Sequence, residues 1–134
     1  MSNEGLSQKS LVYDKAYKLA IRVVNAYQYL TQNKQEWILS KQLIRSGTSI
    51  GSNIAEANGA ISPADFSAKM SIAYKECLET KYWLSLLKDT SYLDEQTFDS
   101  IYQDADEVGK ILFAILKKTR IGNNESTKII PDNQ

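Results

Sequence analysis

Nineteen consecutive residues, Ser46 to Ala64, hold a single charge, Glu56, in a chain of which 24% is charged. That gap narrows the folds open to the sequence, because a water-facing helix sets charged residues opposite its apolar stripe. Leu39, Leu43, Ile50 and Ile54 keep helical spacing through it, with Gly47 where another large residue is expected. The pattern predicts a helix enclosed on several sides, whose Gly, Ser and Ala residues let neighbours come close. Gly47 and Gly51 cost such a helix about 1 kcal/mol each against alanine, which packing has to offset. The simplest cover is another copy of the same chain.

The rest of the chain is helical too. From Leu11 to about Asn33, Val12, Ala16, Leu19, Val23, Ala26 and Leu30 recur in steps of four and three. A parallel row, Tyr13, Tyr17, Ala20, Val24 and Tyr27, lies beside them. Together they form a face wider than a two-helix seam requires, so this helix packs in a bundle with room for a second partner. Lys15, Lys18 and Arg22 share its other side, either as a solvated face or as a ridge contacting phosphate.

A polar break, Gln32 to Gln35, precedes a second helix expected to start near Glu36. On it Arg45, Ser49, Ser52 and Glu56 fall in a narrow stripe. Arg45 cannot reach Glu56, because the rise between them is about 16 Å. Glu56 is expected either to pair with a Lys or Arg of another helix or subunit, since a buried unpaired carboxylate is costly, or to stand half-exposed near the helix end.

Asn58-Gly59-Ala60 ends that helix. Ser62 then caps the next, Pro63 opens it, Asp65 completes a capping box, and Ile61 with Phe66 is placed to form a hydrophobic staple. Phe66, Met70, Ala73, Cys77, Leu84 and Leu87 carry the third helix, with Cys77 as a buried, unreactive thiol. Asp94 caps the fourth, with Leu93 and Phe98 as its staple. Phe98, Ile101, Ala105, Val108, Leu112 and Ile115 follow. Lys117, Lys118 and Arg120 crowd its end, as the helix dipole favours, and Gly122 is placed to terminate it. The expectation is an all-α, antiparallel up-down-up-down four-helix bundle over residues 10–121, between a flexible segment 1–9 and a disordered tail 122–134.

Chemistry is scarce. The chain has no histidine, so a di-iron carboxylate centre, which needs Glu-x-x-His pairs, is excluded. Glu76 and Glu79 lie on adjacent turns, but Lys75 and Lys81 beside them make surface ion pairs the simpler reading. The glycines at Gly47 and Gly51 sit inside a helical pattern and lack a P-loop lysine. No catalytic residue, cofactor, metal or small-molecule substrate is expected. Sixteen basic and sixteen acidic residues cancel, which counts against nucleic-acid or membrane binding through a bulk field. A polar amino-terminal segment, no apolar run of membrane-spanning length and a single cysteine suit the cytoplasm.

The segment Ser40 to Ala57 contains Ser49-Ile50, then Asn53-Ile54-Ala55-Glu56. It resembles the signature Ser-Ile-x-x-Asn-Ile-Ala-Glu of the small bacterial four-helix-bundle proteins encoded in intervening sequences of 23S ribosomal RNA genes. Asp65-Phe66, Lys69 to Glu76, Glu79-Thr80 and Tyr82-Trp83-Leu84 match that family's second signature, and the likeness spans about residues 10 to 120. The resemblance implies a closed homo-oligomer, most often a pentamer, with the second helix near the subunit contacts. Arg45, Ser49, Ile50, Gly51, Asn53, Ile54 and Glu56 are its interface or motif candidates. Many relatives follow the Ala-Glu with Gly and place an Arg four positions beyond that Glu, whereas this chain has Ala57 and Ala60. A similar bundle is the accessory protein of diversity-generating retroelements, a basic pentamer that engages reverse transcriptase and nucleic acid. By that analogy Lys15, Lys18, Arg22, Lys117, Lys118 and Arg120 become candidate RNA or DNA contacts, although this chain has no net charge.

Overall fold

A computed structural model describes the backbone of residues 4–126 and the side chains of residues 11–119. The described residues form four helices: α1 (Glu4–Asn33), α2 (Leu39–Asn58), α3 (Pro63–Asp89) and α4 (Glu95–Ser126). Each packs on two neighbours in the cyclic order α1, α2, α3, α4 and back to α1, with no diagonal contact among the described residues. Val23 and Ala16 of α1 lie against Gly47 and Gly51 of α2. Arg45 and Glu56 of α2 pair with Glu79 and Lys69 of α3, while Arg22 and Lys15 of α1 pair with Asp104 and Glu107 of α4. Lys81 of α3 meets Asp106 of α4, and Lys88 lies over the ring of Phe98. In every pair the numbering rises on one helix as it falls on the other. The bundle is therefore up-down-up-down, as short connections between long helices require.

The predicted apolar rows form the core. Val12, Ala16, Leu19, Val23, Ala26 and Leu30 are buried on α1, and Leu43, Ile50 and Ile54 on α2. Met70, Ala73, Cys77, Leu84 and Leu87 meet them from α3, and Ile101, Ala105, Val108 and Leu112 from α4. Buried polar atoms are matched: the hydroxyls of Ser46 and Thr80 meet at 3.0 Å across α2 and α3. Cys77 is wholly buried, its thiol 3.1 Å from the Ala105 carbonyl, and loss of water raises its pKa to about 11.

Helix starts follow the sequence with two exceptions. At α3 the Ser62 hydroxyl accepts the Asp65 N–H (3.0 Å) and the Asp65 carboxylate accepts the Ile61 N–H (3.3 Å), closing the predicted box. The staple there does not form, because Ile61 is 93% exposed. At α4 Asp94 accepts the Thr97 N–H (2.7 Å), and Leu93 and Phe98 are both buried.

The second exception is α2, which starts at Leu39 rather than near Glu36. Gln35 turns into the left-handed region (φ 51°) and breaks the helical path. Buried Glu36 then acts as the cap: its carboxylate accepts the N–H groups of Ile38 (3.1 Å), Leu39 (2.9 Å) and Ser40 (2.7 Å). Three amides of a helix start otherwise lack partners, and a carboxylate also suits the positive end of the dipole.

At the ends, α1 already runs from Glu4 and α4 passes Gly122 to Ser126. The expectations for residues 1–3 and 127–134 lie outside the described residues, as does the Arg120 side chain.

Gly47 is demanded by packing. A Cβ there would fall 2.7 Å from Val23 Cγ1 and 2.9 Å from Cγ2. Val23 is fully buried and its branched side chain has little freedom to swing away. Gly47→Ala is thus expected to destabilise the protein in urea unfolding, since overpacking at about 1–3 kcal/mol outweighs the ~1 kcal/mol gain in helix propensity. Gly59→Ala, whose Cβ meets nothing closer than 3.7 Å, serves as the tolerated control. Equal midpoints for Gly47→Ala and wild type would show that Val23 gives way freely.

Candidate functional site

The uncharged segment of α2 presents two flanks with different neighbours. On the α3 side Arg45 is the centre. Its Nε donates to Gln42 Oε1 (3.1 Å), one terminal nitrogen reaches Glu76 (3.3 Å), and the other is bonded to Glu79. Glu79 also accepts from the indole nitrogen of Trp83 (3.1 Å). The reading of Glu76 and Glu79 as partners of Lys75 and Lys81 is corrected here: both carboxylates face α2, where Arg45 lies between them, and Lys81 turns to Asp106 on α4. Glu76, Glu79 and Trp83 share one stripe of α3 at spacings of three and four. That spacing, opposite a lone arginine, was the overlooked signal.

Ser49, Ser52 and Asn53 spend their polar atoms on their own helix. The Ser49 hydroxyl donates to the Arg45 carbonyl (2.7 Å), and Ser52 (3.2 Å) and Asn53 (2.8 Å) donate to that of Ser49. Glu56 pairs with a cation of another helix, Lys69 of α3, at 2.7 Å. It is not buried, however: its side chain is 59% exposed, because it lies where α2 ends and the bundle opens to water. The hydrogen bond that Lys69 donates to the Glu56 carboxylate holds the lysine above its usual pKa. Ile50 and Ile54 are wholly buried in the core of their own chain.

The other flank faces α1. At about 100° per residue, Ile44, Thr48, Gly51 and Ala55 lie on this side of α2. Opposite them on α1 stand Tyr13, Tyr17, Ala20, Val24 and Tyr27, the second apolar row of the sequence. None of these nine is buried, and none is charged. Tyr17 is 56% exposed, its ring stacked on Tyr13 at 6.1 Å. Gly51 is the meeting point of the two helices, yet a Cβ there would touch Ala16 at an ordinary 3.8 Å. Among the described residues no contact requires that glycine. Lys41 and the Asp14–Lys18 pair (3.1 Å) mark the edges of this surface.

The basic ridge of α1 is locally neutralised. Lys15 holds Glu107 (3.1 Å), Lys18 holds Asp14 (3.1 Å), and Arg22 holds Asp104 (2.7 Å). Lys117 and Lys118 are exposed on α4.

Two concavities accompany these surfaces. One, of about 400 Å³, lies between α1 and α4, with Ala26, Leu93 and Ile101 as floor and Arg22, Asn25, Tyr29, Asp94 and Thr97 around it. The other, of about 290 Å³, lies between α3 and α4. Among the described residues no cluster of His, Cys, Asp or Glu is placed to hold a metal ion, and no helix is long and apolar enough to cross a membrane.

Because Arg45 bonds within its own chain, Arg45→Ala is expected to lower unfolding stability by about 1 kcal/mol or less. Arg45→Lys should not restore it, since an ammonium cannot span two carboxylates and an amide. Unfolding midpoints indistinguishable between wild type and Arg45→Ala would show the network to be energetically idle.

Comparison with known proteins agrees with this architecture. The chain resembles a protein of unknown function from the S23 ribosomal protein family of Bacteroides thetaiotaomicron, whose crystal structure superposes with a TM-score of 0.81 at 46% identity, covering 82% of this chain and 98% of that one. No curated protein matches the chain. The family model described as 23S rRNA-intervening sequence protein matches residues 8–114, and the chain belongs to that family.

Proposed function

We propose that this protein is a homo-oligomeric four-helix-bundle scaffold or binding module, assembled through the uncharged surface that α1 and α2 present together. One observation carries the reading. Nine neighbouring positions on two helices are accessible and lack charge, in a chain with a 24% charged composition. Three of them are tyrosines, a residue type enriched in interfaces because its ring is apolar and its hydroxyl bonds water or protein equally well. Gly51 adds support, since its helix-propensity cost of about 1 kcal/mol is required by no close contact among the described residues. A closed ring, with five copies as the family resemblance implies, would cover this surface. The cytoplasm, with its reduced thiols, suits the one buried cysteine.

A non-enzymatic role fits the site, which offers ion pairs and hydrogen bonds already satisfied rather than groups poised for proton transfer. The alternative, an RNA- or DNA-associated accessory factor, draws on Lys15, Lys18, Arg22, Lys117, Lys118 and Arg120, of which the first three each hold a carboxylate at 2.7–3.1 Å. Phosphate would have to displace those carboxylates. Electrophoretic shifts with ribosomal RNA fragments are therefore expected to show no binding near physiological salt. A complex whose affinity falls steeply with added salt would favour the accessory-factor role instead.

Light scattering after size exclusion tests the assembly. Wild type is expected at a multiple of its 15.1 kDa chain mass. Tyr17→Glu combined with Ala55→Glu, both at exposed positions, is expected to reduce it to one chain with helical circular dichroism intact. Gln103→Glu, on the exposed side of α4, should leave the oligomer whole. A wild-type mass of one chain at micromolar concentration would refute the proposal, as would an undiminished oligomer in the double variant.

A further inference from the structure

We propose that Asn58–Gly59 is a self-modification site: the Gly59 amide nitrogen attacks the Asn58 side chain, ammonia leaves, and the neutral end of α2 becomes a carboxylate. The inference does not rest on the oligomeric reading above.

Asn-Gly occurs once in the chain. Ring closure between a side-chain amide and the next backbone nitrogen is hindered by the side chain of that next residue, and glycine has none. Asn58 is the last residue of α2, and both residues are exposed. Among the described residues nothing hydrogen-bonds the Asn58 side chain. Space around Gly59 is open, since the nearest atom a Cβ would meet is the Glu56 carbonyl oxygen at 3.7 Å. The Gly59 N–H donates to that carbonyl (3.1 Å) and the Ala60 N–H to that of Ala57 (3.0 Å). Such three-residue bonds have poorer geometry than those of the helix interior, and helix ends fray. Opening this single turn frees the attacking nitrogen without disturbing the core.

The other asparagines with described side chains are worse placed. Asn53 donates to the Ser49 carbonyl at 2.8 Å and precedes the branched, wholly buried Ile54. Asn25 lies within α1 before buried Ala26, and Asn33 ends α1 but precedes Lys34. Each is followed by a side chain that crowds the attack.

The chemistry needs only water and a buffer base. The base takes the Gly59 N–H proton, and the nitrogen lone pair forms a bond to Asn58 Cγ. The Cγ–Nδ2 bond breaks and ammonia departs with a proton, leaving a five-membered succinimide. Water then opens the ring. Breaking the bond to Cγ gives aspartate, and breaking the bond to the main-chain carbonyl carbon gives isoaspartate. Nothing is oxidised or reduced.

Both products set an anion at the negative end of the α2 dipole, two residues beyond Glu56. The balance of sixteen acidic and sixteen basic residues shifts by one negative charge. Isoaspartate also adds a carbon to the main chain in the connection that leads to the Ser62 cap of α3. Water does not reverse the step, so the modified fraction rises with the age of the chain.

Incubating the folded protein in mildly alkaline buffer, with anion exchange and peptide mass spectrometry as readouts, tests the site. Asn58 is expected to gain the mass difference between an amide and an acid before Asn25, Asn33 or Asn53 does, with isoaspartate the larger product. Gly59→Ala is expected to slow that gain several-fold while keeping its helical circular dichroism. Asn58→Gln should leave this segment unmodified on the same timescale. Earlier modification at another of these asparagines would overturn the proposal. So would an Asn58 that stays intact in the folded protein while a urea-unfolded sample converts fully, or an equal rate in Gly59→Ala.

Discussion

The approach of α1 to α2 at Gly47 is the contact on which the remaining geometry turns. A glycine lets the buried Val23 side chain sit where a Cβ would otherwise be, only 2.7 Å away. Helices held this close cannot interleave large side chains along their outer margin. Tyr13 and Tyr17 are exposed and Val24 and Tyr27 half-buried on the side of α1 next to Ile44, Thr48 and Ala55. The tight core contact at Gly47 and the uncharged exterior thus lie on the same pair of helices.

Across the bundle the logic is reversed. Between α2 and α3 the outer margin is polar, with Arg45 set between Glu76 and Glu79 and Glu56 joined to Lys69. Exposed ion pairs contribute little stability. A guanidinium bonded through all its nitrogens does, however, penalise any slip of one helix past the other.

Different parts of the molecule were legible in the sequence to different degrees. The core rows of all four helices, the Ser62 and Asp94 caps and the burial of Cys77 followed from residue spacing, because each depends on contacts within one helix or on a simple division into inside and outside. Glu36 was harder: a glutamate reads as a helix-starting residue, and only the left-handed turn at Gln35 frees it to fold back as a cap. The Ile61 staple failed, while Leu93 and Phe98 are both buried. The Ser62 and Asp65 hydrogen bonds close the box without Ile61, whereas Leu93 finds the core beneath it.

The charge gap shows the division most plainly. By itself the sequence determined four amphipathic helices, their antiparallel order and the presence of a helix too poor in charge to face water on all sides, since periodicity and short connections leave no other packing. Only the tertiary structure decided what lies on each flank of that helix. Ile50 and Ile54 went to the core of their own chain, Arg45 and Glu56 to α3, and the tyrosine row of α1 came to lie beside Gly51. Those assignments depend on how each helix is rotated about its axis, which is set by the sum of contacts from two neighbours at once and is not encoded in any one segment.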